Sequence, residues 1–213
     1  MNRPVSALLI AFAGLLVVFE TLYFASLRPA YSHVANTISE LGETGSPQAT
    51  LVAYGFFLPV GLLVWLALWL VHKRMNDWDI SFAVAALSCL GLGYLIAVFF
   101  PCDAGAPLYG SWRTLVHNVA GFFDYEGTGI GFLLFARIFA QQRLKFSAVL
   151  LLIAGALVLA GTGLLCLPAA FPFRGAVQRG AEMAQFTGEF LICLRLQGKW
   201  APLVRIQKRN GHC

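Results

Sequence analysis

The chain has 213 residues, 59% hydrophobic and only 12% charged, with a formal net charge of +5 and a mean hydropathy of +0.74. A water-soluble domain carries about 25% charged residues, so this composition excludes an ordinary soluble domain and points to a polytopic membrane protein. The basic excess does not indicate a nucleic-acid partner, because Lys and Arg stand at the ends of apolar segments rather than along one face.

A membrane-spanning helix needs about 20 mostly apolar residues. That length picks out 5–27, 51–72, 80–100, 115–137, 147–167 and 176–196. The first follows Arg3 as a signal peptide would. Its apolar run is long and carries Glu20, so it reads as a retained helix, with cleavage near Ala25 as the alternative. The sixth is interrupted by Gln178, Arg179, Glu182, Gln185 and Glu189. Six spans with the N-terminus inside put eleven basic residues on one side, among them Lys73, Arg74, Arg137, Arg143 and Lys145, and four on the other: Arg28, Arg113, Arg174 and Arg179. Cytoplasmic loops carry the excess of Lys and Arg. The expectation is therefore an all-α bundle of six transmembrane helices with both termini cytoplasmic. Residues 1–196 form the membrane domain, and 197–213 form a basic tail against the anionic inner leaflet. The expected location is a bacterial-type inner (plasma) membrane; a eukaryotic membrane fits the same charges.

The inner connections are short and the outer ones long. In 28–50, Asn36 or Thr37 is placed to cap a short helix that Gly42, Gly45 and Pro47 stop. Val34, Ile38 and Leu41 have helical spacing, which predicts a segment lying in the membrane interface with its apolar face down. The loop 101–113 holds Asp103 and ends near Trp112. ISELG followed by GSP, FPCD after the third span, HNVAG opening the fourth and GAVQRGAE opening the sixth resemble the domain of unknown function 998 family, over about residues 5–195. The resemblance implies a six-helix integral membrane protein and carries no activity with it.

On the fourth helix, His117, Gly121, Asp124, Thr128 and Gly131 share one narrow face. Glu126 points almost oppositely, which predicts a helix surrounded by protein. On the sixth, Gln178, Glu182, Gln185 and Glu189 form a second polar stripe. Helical rise puts Asp124, Glu182 and Glu20 at one level, about 10 Å below the outer surface. Ionisable groups at such depth mark a functional site by default. Arg179 is the cation nearest these acids in sequence and is expected to pair with Glu182. The candidate polar cavity is thus Glu20, Asp124, Arg179, Glu182 and His117, with Glu40, Asp103 and His33 at its mouth and both outer loops as its roof. The five cysteines form no CxxC or Cys–His pair. Cys102 and Cys166 fall near outer span ends, either as a disulfide or as two buried thiols.

Three functions fit. The first is binding, sensing or translocation of a lipid or small amphiphile from the outer-leaflet side, with membrane lipids as partners. The second is a membrane-embedded lipid hydrolase working through a metal or an acid/base site. The third is a structural or partner-binding membrane subunit. His33, Glu40, Asp103 and His117 are the metal candidates, although no HExxH or HxxxH spacing is present. Haem is disfavoured by the lack of facing histidines within the bilayer, and retinal by the lack of a mid-span Lys. No catalytic residue or cofactor is assigned, and the oligomeric state is left open.

Overall fold

The computed structural model describes residues 5–75, 78–167 and 172–197. Arg3, Cys213 and the basic tail beyond 197 lie outside them. Six long helices follow one another: α1 (Val5–Ser26), α2 (Ala49–Arg74), α3 (Trp78–Phe99), α4 (Trp112–Gln141), α5 (Lys145–Leu165) and α6 (Arg174–Gln197). No strand occurs among the described residues. By length and composition, four helices are apolar enough to cross a membrane: α1, α2, α3 and α5. The other two are as long, and they carry the two polar stripes.

Each helix packs on its neighbours in the chain, and α6 returns to α1, closing a ring. Ile10, Val64, Leu87, Phe132, Leu151 and Ile192 fill the interior, while Leu8, Phe12, Leu15, Leu62, Phe82 and Ile153 are exposed. A continuous apolar exterior of this kind suits lipid rather than water. The ring leaves every helix an outer face, and α4 is no exception: it exposes Val119, Phe122 and Phe123. Glu126 is half-buried. The expectation that α4 is enclosed on all sides therefore fails.

Two local features place the site. Pro59 has no N–H, and its ring crowds the carbonyl four residues back. The helix widens there into a π-turn over Ala53–Phe57. Phe57 then meets Tyr94 of α3 edge-on, with ring centres 5.6 Å apart. Opposite α4, Gly93 leaves room for an acid: a Cβ on Gly93 would stand 2.5 Å from Asp124 Oδ2.

The two long loops meet at one end of the ring, where Thr44 N donates to Cys102 O at 2.8 Å. The first loop holds a short 3-10 turn, Ser39–Gly42. Ile38 and Leu41 are buried in the bundle core, while Val34 is exposed. The apolar face of this segment thus plugs the end of the ring instead of lying along an interface. Its exposed alternative would leave the ring interior open, and the plug also satisfies the Ile38 N–H, which donates to Gln178 Oε1 of α6 at 2.6 Å. Left-handed backbone at Gly45 (φ 87°) and Gly105 (φ 75°) turns each loop back over this end.

Candidate functional site: a carboxyl cluster beneath an arginine-tied roof

Three arginines hold the roof. Arg28 donates to the carbonyls of Glu40 (2.6 Å) and Leu41 (2.9 Å) and to Ser46 Oγ, and pairs with Glu43 at 3.3 Å. Arg174 opens α6, donates to Ala106 O at 3.0 Å and stands 3.6 Å from Glu40. Arg179 donates to the carbonyls of His33 (2.9 Å), Asn36 (2.8 Å) and Gly175 (2.9 Å) and to Tyr31 Oη (2.6 Å). Burial pushes the Tyr31 phenol up to about 12 against the pull of Arg179.

These bonds correct the expected role of Arg179. It is not the cation of the buried acids, because the carbonyls of the first loop lie within its reach and take its donors. Glu40, expected at the mouth, is a buried knot. Its carboxylate accepts from Thr37 N (2.8 Å), Thr37 Oγ1 (3.1 Å) and Asn36 Nδ2 (2.7 Å), the reach-back half of a capping box. Asp103 accepts from Ser111 N (2.7 Å) and Ser111 Oγ (2.9 Å), which hold its carboxyl below the usual range. It fastens the second loop to the start of α4. His33 is exposed. Cys102 is buried and Cys166 exposed, and both are free thiols. Burial, reinforced by Glu43 and Glu40, pushes the Cys102 thiol up to about 12.

Beneath the roof lies the acid cluster. Glu182 is buried and accepts from Tyr94 Oη (2.9 Å) and Tyr125 Oη (3.1 Å). Asp124 accepts from Gln185 Nε2 at 2.7 Å. Glu20 is 0% exposed, and neither of its carboxyl oxygens has a protein partner among the described residues. It stands within electrostatic reach of Glu182, and Asp124 within reach of both Glu182 and Glu189. Glu182 is thus the neighbour that Glu20 and Asp124 share. The charged neighbours acting on Glu20 and Asp124 are Glu182 and Glu189, with no Lys or Arg of the described residues among them. His117 Nδ1 donates to Phe100 O at 2.9 Å.

Two small cavities join the roof to the cluster. The upper one, about 130 Å³, is lined by Thr37, Ser39, Asn118, His117, Arg174 and Gln178. The lower one, about 50 Å³, reaches Asp124 and Glu182 and shares Ser39, His117, Gly121, Tyr125 and Gln178 with the upper. A third space, about 640 Å³, is a groove between α1 and α6, lined by Gly14, Leu15, Val18, Met183 and Phe186 with His33 and Arg179 at one end. Glu182 lines both the lower cavity and the groove. A space of 50 Å³ holds water or a proton relay. The groove has the size of a small-molecule site; so does an apolar hollow of about 460 Å³ between α3 and α4, but it touches neither Glu182 nor the roof.

Glu40, Asp103 and His117 hold separate hydrogen bonds, His33 is exposed, and no three His, Cys, Asp or Glu side chains gather as a metal site among the described residues. Several contributors had no functional signal in the sequence. Nothing in the sequence sets Tyr94 and Tyr125 apart from the other aromatics, and Arg174 reads as a flanking charge. Gln185 and Glu189 stood on the sixth helix's stripe, but their contact with Asp124 needs the fold.

An apolar exterior around a polar, acid-lined interior defines a helical membrane protein. Residues 10–195 match the model described as Protein of unknown function (DUF998), and the chain belongs to that family. No curated protein matches it, and no solved structure does.

Proposed function

We propose that the chain spans the membrane six times with the loop end outward and both termini in the cytoplasm, and that it binds or translocates a lipid or small amphiphile in step with protonation of Glu182. One observation carries this reading: Glu182 forms the partition between the water-sized cavity under the roof and the apolar groove between α1 and α6. A carboxyl group so placed senses an occupant of the groove on one side and exchanges protons on the other. Four buried acids without a cation cannot all be ionised at once in a low dielectric. Change of protonation is therefore the natural chemistry of the cluster. The groove takes the apolar chain, and the cavity serves water and protons.

The test is binding of a single-chain fluorescent fatty acid to purified protein from about pH 5 to about pH 9. Wild type should bind with pH-dependent affinity, and Glu182→Gln should bind with affinity independent of pH. Ala11→Trp and Thr187→Trp, which fill the groove from its two walls, should weaken binding at every pH. Binding that survives both tryptophans removes the groove from the mechanism.

A further inference from the structure

The polar interior does not end at the Glu182 level. Seven residues further along α6, about 10 Å by helical rise, Glu189 is 0% exposed and neither carboxyl oxygen has a protein partner among the described residues. On the same interior, Gln185 and Thr128 are 0% exposed, and Gln185 Oε1 and Thr128 Oγ1 are likewise unpartnered among the described residues. Gln185 Nε2 meanwhile holds Asp124. The titratable groups facing Glu189 are Asp124 from α4 and Cys193 from its own helix. Cys193 in turn contacts Ser6 near the start of α1. Buried polar groups therefore continue from the roof past the cluster to the end of the ring opposite the loops, through a bundle that is otherwise hydrocarbon. Packing does not call for them: the same stretch of ring interior is filled elsewhere by Phe132, Phe135 and Ile192.

We propose that Glu189 is a second proton-binding site, facing the end of the bundle opposite the loops. With Asp124 between them, Glu182 and Glu189 then form the two ends of a proton path through the protein. A proton on Glu182 passes to Asp124 and then to Glu189, each carboxylic acid giving up its O–H proton as the next carboxylate accepts it. Thr128 and Gln185 present oxygens along the way. The inference shares the membrane setting and the Glu182 proton of the proposed function but not its ligand, and Glu189 is read without any ligand present.

Infrared spectroscopy of the protein in lipid nanodiscs tests it. The carboxylic C=O band of Glu189 is identified by its loss in Glu189→Gln and, should that variant fold poorly, by its shift in Glu189→Asp. The band should be present at neutral pH and move within minutes of transfer to D2O. Gly121→Leu supplies the second arm. A Cβ at Gly121 meets nothing within 4 Å, and the residue lines both cavities beneath the roof, so Leu plugs the loop-side entrance. In that variant exchange at Glu189 should stay unchanged, and Glu182, cut off from the loop side, should still exchange by way of Asp124 and Glu189. A missing Glu189 band, a band that never exchanges, a Glu189 band that slows under the plug, or loss of exchange at Glu182 under the plug would each overturn the proposal.

Discussion

Glu40 and Arg174 are both about 8% exposed along their side chains and stand 3.6 Å apart. Removing one partner of a buried pair strands the other, at about 3–5 kcal/mol. Glu40→Ala should therefore lower thermal stability in detergent by that order, and adding Arg174→Met should recover part of the loss. Arg179→Ala and Glu182→Gln, by contrast, should be additive, since no hydrogen bond or ion pair joins their side chains among the described residues; a coupling energy above about 0.5 kcal/mol would contradict the placement of Arg179. Asp103 shows the sign of a depressed acid. Its folded value lies below the unfolded value of about 3.9, so its grip on Ser111 is full above that pH and is lost as pH falls through the lower folded value. Protection of the Ser111 amide should drop in acid in wild type, and in Asp103→Asn should be low at every pH. Of these residues, the acids could be read in the sequence because a carboxylate inside an apolar run is costly anywhere. Their partners could not: Arg179 and Arg174 look alike as flanking cations, and which carbonyl or carboxylate each reaches depends on loop paths that no periodicity encodes.

At the level of elements, the site depends on how closely α3 and α4 approach. A methyl group on Gly93 would collide with Asp124, whereas one on Gly163 of α5 meets nothing within 4 Å. Gly93→Ala should cost about 1–3 kcal/mol as an overpacked contact and loosen the Asp124–Gln185 bond. Gly163→Ala should be neutral or stabilise by up to about 1 kcal/mol. Equal effects on melting temperature would show that the α3–α4 contact is not as tight as described. The helices themselves were legible from span length, and their starts and ends fall within a few residues of the expected limits except for α4, which runs on to Gln141. The π-turn was not legible: Pro59 announces a distortion, but whether the helix kinks, breaks or widens is settled by packing against Tyr94. The first loop misled for a related reason. Val34, Ile38 and Leu41 have helical spacing, yet only two of them are buried, and it is the end of the bundle that covers them.

For the molecule as a whole, the proposed orientation rests on where the basic residues fall. Reporter fusions at Arg74 and Lys145 should read cytoplasmic, and fusions at Gly45 and Gly105 the opposite side. A membrane-impermeant maleimide added outside should label Cys166, which is exposed. It should spare Cys102, buried and held as a neutral thiol by a value near 12. Labelling only from inside would invert the molecule. The central claim is that groove occupancy and protonation are linked at Glu182, and linkage is reciprocal: if pH changes affinity for the amphiphile, binding the amphiphile must move protons. The direct measurement is proton uptake or release, followed with a pH-indicator dye in weakly buffered solution, when the fatty acid is added to purified protein and corrected for its own titration. A ligand-dependent proton change in wild type that vanishes in Glu182→Gln is the expected result. Binding without any proton change, or the same change in both proteins, would contradict it.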